Sequence, residues 1–171
     1  MKRTFGNWKM LAAAFLLLFG GLAVAQTEIT FETSRLTLHT ETGDHEIVVE
    51  LAETEQQRQR GLMYRTELAP DHGMIFDLGQ PRTASMWMAN TLIPLDMVFI
   101  RTDGSVAGYY EQAEPGSKRV IASREPVKYV LELAGGQAQA YGLKPGDTVV
   151  EIGSNDGTFL KSFQSLGMNV L

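Results

Sequence analysis

The chain has 171 residues, 44% of them apolar, a formal net charge of −5 and no cysteine. That balance excludes a disulfide framework and a cysteine-held metal site, and it argues against a nucleic-acid partner. The length suits one packed domain with room for a real core.

Lys2, Arg3 and Lys9 precede an apolar run from Met10 to Leu22, and Ala23-Val24-Ala25 supplies the small-x-small pattern of a signal-peptidase site. The run falls short of the about 20 apolar residues that a membrane-crossing helix needs, and Gly20 and Gly21 interrupt it. Residues 1–25 are therefore expected to be a signal peptide, with no membrane attachment after cleavage. No Cys follows the small residues, so a cysteine-linked lipid is excluded. Loss of three basic residues and no acidic one takes the net charge from −5 to −8. The expected location is periplasmic or secreted.

Gln26 to Ser34 is polar and reads as a flexible leader, with the β-rich domain expected over 35–152. Leu36 and Leu38, then Ile47, Val49 and Leu51, alternate with their neighbours around Glu41-Thr42-Gly43-Asp44, which predicts a β-hairpin. His39 and His45 flank it without ligand-spaced partners. Thr54-Glu55-Gln56-Gln57 has the form of a capping box, so a helix starts there, and Gly61 ends it. Arg58 and Arg60 fall in the last turn, where cations complement the helix dipole. Arg65 lies beyond the helix with no dipole to serve, and its planar fork suits a carboxylate such as Asp96 or Glu132, or a ligand.

Gly73 to Phe76 reads as a short strand and Asp77 to Arg82, with Gly79 and Pro81, as a loop. Met86 to Met88 and Leu95 to Ile100 are strand-length apolar runs around a polar corner, Ala89 to Pro94. At that corner Trp87, Asn90, Thr91 and Asp96 can converge, and an aromatic ring beside a few polar groups is the usual make-up of a small-molecule site. Thr102-Asp103-Gly104 is a hairpin turn, Val106 to Tyr110 the returning strand, and Glu111 to Lys118 a surface loop. Val127 to Leu133 alternates as a strand and places Glu132 near its end. Gly135-Gly136 breaks it, Gln137 to Tyr141 makes one helical turn, and Lys144-Pro145-Gly146-Asp147 turns into a last strand, Thr148 to Ile152.

Gly61-Leu62-Met63-Tyr64-Arg65, Gly73-Met74-Ile75-Phe76, Trp87 to Asp96, Val130 to Gly135 and Pro145-Gly146-Asp147 resemble, in that order, the blocks of the family called domain of unknown function 192. The resemblance covers about residues 36–150. It implies an all-β fold, jelly-roll or sandwich-like, with one or two short helices, and no established activity. Carried over block by block, it marks Arg65, Trp87, Asn90, Thr91, Asp96 and Glu132 as the ligand-binding set. The family usually has a basic residue where this chain has Ala89, so a cation at that corner is not expected here.

No nucleophile elbow, zinc spacing or complete phosphate loop is present, so no catalytic residue, cofactor or metal is assigned. The expected function is an exported binding or accessory domain holding a small polar ligand or a periplasmic protein. One alternative is copper handling through Met63, Met74, Met86 and Met88, whose thioethers suit Cu(I). Another is hydrolysis with Asp96 and Glu132 as acid and base.

The C-terminal segment departs from the family. Val150 to Leu160 resembles the first motif of class I methyltransferases, a strand ending in Glu-x-Gly-x-x-x-Gly. That site also needs a second strand with an acidic residue for the ribose, which residues 153–171 do not supply. No methyltransferase activity is expected. Phe159, Leu160, Phe163 and Leu166 share one face, which predicts a short C-terminal helix over 158–166 in a fusion or truncation remnant.

Overall fold

The computed structural model describes residues 29–151. The expected signal peptide, most of the expected leader and the expected C-terminal helix lie outside the described residues. Within them the chain is all-β with two short helices, as expected.

The hairpin forms from β1 (Thr33–Thr40) and β2 (Gly43–Ala52), and Gly43 takes the positive φ of 124° that its tight turn requires. β1 begins two residues before the expected start at Arg35. Helix α1 (Glu55–Arg60) then carries the chain across to β3 (His72–Arg82), which pairs parallel to β2. β3 runs on through Asp77–Arg82, where a loop was expected. The extension pairs with β8 (Val127–Ala134) across a break in register, which is how Gly79 and Pro81 are accommodated in a strand. After the two-residue β4 (Ser85–Met86) and the corner, β5 (Leu95–Ile100) has the expected bounds. β6 (Val106–Ala113) reaches further than Tyr110 and takes up part of the expected loop. β7 (Ile121–Ala122), not foreseen, pairs with β4. Helix α2 (Gln137–Ala140) and β9 (Thr148–Glu151) complete the domain.

Seven strands make one sheet in the order β6-β5-β8-β3-β2-β1-β9. The sheet curls until its ends meet. Val106 N–H donates to Asp147 O at 2.7 Å, Gly146 N–H to Val106 O at 2.9 Å and Val149 N–H to Gly104 O at 2.9 Å. Strand alternation then sorts the apolar side chains into two cores. Leu36, Leu38, Val49, Val98, Leu131 and Leu133 pack inside the curl. Met74, Phe76, Met88, Met97, Phe99 and Val130 pack on its outer face, where β4, β7 and the segment after α1 cover them. Each fully buried side chain of this kind contributes roughly 1.5–3 kcal/mol.

Asp96 fastens one end of the curl. It is 0% exposed, and its carboxylate accepts from Gln112 N–H at 2.8 Å, Gly136 N–H at 2.9 Å and Ala138 N–H at 2.9 Å. Gln112 has a left-handed φ of 52°, which turns its N–H toward Asp96. Gly136, the N-cap of α2, has no side chain to cap with, and Asp96 does so from β5. Asp96→Ala strands these donors and is expected to cost about 3 to 5 kcal/mol, read as a fall in the urea midpoint. A loss below about 1 kcal/mol would mean that solvent replaces the carboxylate.

Candidate functional site

The walls of the site are built by two segments that adopt rare backbone conformations and bind each other there. Thr54 accepts from Gln57 N–H at 3.2 Å while the Gln57 side chain accepts from Thr54 N–H at 2.9 Å, so α1 begins with the expected capping box. Gly61 ends it at φ 47°, a conformation that favours glycine, and a Cβ there would lie 3.2 Å from the Phe76 ring, a tight contact. Tyr64 follows at φ 66°, and its N–H donates to Asn90 O at 2.8 Å. Asn90 is itself left-handed, at φ 60°, a conformation its short polar side chain tolerates better than most. Thr91 N–H to Met88 O and Met88 N–H to Ser117 O, both 3.0 Å, fix the other side of the corner.

Between these walls lies a cleft of about 330 Å³. Leu62, Phe76, Leu78, Met86 and Trp87 form its apolar surface, and Arg58, Arg60 and Arg82 enter from the rim. Trp87 is 52% exposed, so the ring stands in the cleft mouth instead of in the core. Glu132 lies at the floor and is 5% exposed. The register explains its burial. Glu132 pairs with Met74 on β3 and with Met97 on β5, both 0% exposed, so it projects from the middle of the sheet between two thioether side chains. Among the described residues no hydrogen bond or ion pair reaches its carboxyl. Burial alone pushes its pKa up from 4.5 to about 8. At neutral pH this acid holds its proton.

The rim carries the opposite sign. Arg58 is committed to Glu55 at 3.2 Å, to Asp77 O at 3.1 Å and to Glu53 O. Arg60 lies over the Tyr64 ring, 4.7 Å from its centroid. The Arg82 guanidinium makes no hydrogen bond or ion pair among the described residues. Among the described residues Glu55 is the one other carboxyl lining the cleft. Its pKa is held below the usual range by hydrogen bonds from Gln59 and Arg58.

The six expected residues therefore divide. Trp87, Thr91 and Glu132 line the cleft together. Asn90 shapes the corner through its backbone, and its side-chain amide contacts Met63 Sδ at 3.9 Å. Arg65 grips Glu50 with both nitrogens at 2.6 Å, not Asp96 or Glu132, and does not line the cleft. Asp96 faces the other side of the sheet from Glu132. In the β5–β8 register Asp96 lies opposite Leu133 of the inner core, while Glu132 lies opposite Met97 of the outer one. The acid–base pair is not brought together. The methionines are also split, with Met63 and Met86 lining the cleft and Met74 and Met88 sealed in the core. Arg82 was missed because Gly79 and Pro81 made its segment read as a loop.

A curled all-β domain with a small, basic-rimmed cleft over a buried acid is the class that fold and site define. The chain belongs to the family described as "Uncharacterized ACR", domain of unknown function 192, which matches residues 37–151. Two solved structures share the fold. One, from Sinorhizobium meliloti 1021, is described as a candidate transcription regulator. It is 48% identical with a TM-score of 0.70, the match covering 72% of this chain and 97% of that one. The other is a protein of unknown function from Novosphingobium aromaticivorans, 38% identical with a TM-score of 0.69, covering 70% and 86%. No curated protein matches.

A buried acid makes stability fall with pH. The unfolded chain releases the Glu132 proton near 4.5 and the folded chain near 8. Between those values the folded state binds more protons, so its contribution is full below about 4.5 and is lost as pH rises to about 8. At about 1.4 kcal/mol per unit the upper limit of that loss is roughly 5 kcal/mol. Besides Glu132, the charged groups lining the cleft are Glu55, Arg58 and Arg60 from α1 and Arg82 from β3. Glu132→Gln keeps the shape without the titration. Its stability relative to wild type is expected to grow by a few kcal/mol between about pH 5 and pH 9, measured by urea unfolding. A difference that stays constant with pH would contradict the burial of this acid.

Proposed function

We propose that this chain is an exported binding domain whose cleft, between α1 and the Trp87 corner, holds a small polar ligand. The observation that carries the reading is Glu132, a buried carboxyl with a donor to offer and no partner among the described residues. Its oxygens still reach the cleft, where a ligand or water can take up the hydrogen bonds that the protein does not supply. The exposed Trp87 ring gives that ligand a flat apolar surface, and the Thr91 side chain beside it is 5% exposed. The volume falls at the low end of the about 300–1,000 Å³ of ligand pockets.

Binding is favoured over hydrolysis because a two-carboxylate reaction needs a second acid facing Glu132. Asp96 faces away, and Glu55 is engaged by Gln59 and Arg58. The regulatory role named for the S. meliloti relative is not carried over, since a net charge of −5 opposes a phosphate backbone. Export rests on the Lys2-to-Ala25 pattern alone.

The test is an equilibrium-binding screen of the full chain against sugars, peptides and metal ions, Cu(I) under anaerobic conditions included. A hit is expected that weakens by about tenfold or more in Trp87→Ala, as for loss of an aromatic anchor. The thermal midpoint of that variant should barely move, because the ring is half exposed. Silence across the screen, or a hit indifferent to both Trp87→Ala and Glu132→Leu, would contradict the reading.

A further inference from the structure

Resting on that binding reading, we infer that the cleft takes a sugar acid of monosaccharide size. Its carboxylate would lie against Arg82, its ring face on Trp87 and a ring hydroxyl on the Glu132 carboxyl. Charge sets the first constraint on the ligand. Arg58, Arg60 and Arg82 line the cleft against Glu55, three guanidiniums to one ionised carboxyl. Arg58 is consumed by Glu55 and two backbone carbonyls, and Arg60 is stacked on Tyr64. Arg82 lies near enough to Glu55 to help lower its pKa but makes no hydrogen bond or ion pair among the described residues, and a planar fork recognises a carboxylate through two parallel hydrogen bonds.

A cationic ligand meets the wrong field. It would face the guanidinium rim, and at the floor it would have to ionise an acid that burial keeps neutral. A neutral carboxyl instead donates one hydrogen bond and accepts others, which is what a hydroxyl needs. Apart from these polar groups much of the lining is apolar, with Leu62, Phe76, Leu78, Met86 and the exposed Trp87 ring. A ligand that fits must therefore present an anion, a hydroxyl and a hydrophobic C–H face. A pyranose carrying a carboxylate has this arrangement, and its size suits a cleft of about 330 Å³. A bare inorganic anion would satisfy Arg82 but leave Trp87 and Glu132 without a role.

The experiment is calorimetric titration of the full chain with glucuronate, galacturonate, glucose and inorganic phosphate. At least one of the two uronates is expected to bind, with glucose weaker by about tenfold or more, the usual scale for losing a hydrogen bond to a charged group. Arg82→Ala should bring the uronate down to the level of glucose and leave glucose unchanged. Arg82 is exposed, so this variant should keep the wild-type melting temperature, and that is checked first. Glu132→Gln, which retains a donor, should bind within about threefold of wild type, whereas Glu132→Leu should weaken both sugars. Several outcomes would overturn the inference: no binding of either uronate, glucose binding as tightly as the uronate, phosphate binding as tightly as the uronate, or a uronate affinity indifferent to Arg82→Ala. Any of these leaves the wider binding reading standing if the ligand screen gives a hit that depends on Trp87, so the two can fail separately.

Discussion

Asp96 and Glu132 lie one register step apart on adjacent strands, yet the alternation of side chains across the sheet sends them to opposite faces. Inside the curl Asp96 meets backbone N–H groups and becomes a fastener between β5, β6 and α2. On the outer face Glu132 meets Met74 and Met97, and no such donors. The same functional group, a carboxyl, is thus used for stability on one side and left available on the other. That difference in partners separates fold from site in this domain.

The outer face is available because its cover is made of short pieces. α1 has six residues, β4 and β7 two each, and they are held over the sheet by contacts such as Tyr64 N–H to Asn90 O and Ala84 N–H to Ser123 Oγ at 2.9 Å. Such a cover packs well against Phe76, Met88 and Met97 but does not close over Glu132. The left-handed conformations of Gly61, Tyr64 and Asn90 turn the chain sharply at the cleft walls. For Tyr64 this costs about 1 kcal/mol or more, which the surrounding contacts must offset. Unfavourable backbone concentrated around a cleft supports a working site over an accident of packing.

Much of the fold was legible because its signals are local. The capping box at Thr54 and Gln57, the glycine stop at 61, the hairpin at Gly43 and the bounds of β5 follow from residues within a few positions of one another. The family blocks identified the domain for the same reason. What was not legible depends on register between distant strands. Alternation tells which neighbours share a face within one strand, but not which face of β8 matches which face of β5, so the separation of Asp96 from Glu132 could not be read. Nor could the Arg65–Glu50 pair, which needs β2 placed beside the segment after α1. Gly79 and Pro81 signalled a loop, and only pairing with β8 across a register break keeps them in a strand with Arg82 at the cleft rim. Of the corner residues Trp87 and Thr91 line the cleft, while the strand expected over Met86 to Met88 is instead Ser85–Met86, paired to β7, and leaves Trp87 and Met88 outside it.

The chemistry of the cleft turns on the protonation state of Glu132, and carbon-13 NMR of glutamate-labelled protein reads it directly. The Glu132 side-chain carboxyl resonance, assigned by its disappearance in Glu132→Gln, is followed through a pH titration. A midpoint near 8 is expected, with the neutral acid present at neutral pH. A midpoint near the ordinary 4.5 would show an ionised, solvated carboxylate, and would contradict the donor at the floor of the cleft on which the functional reading rests.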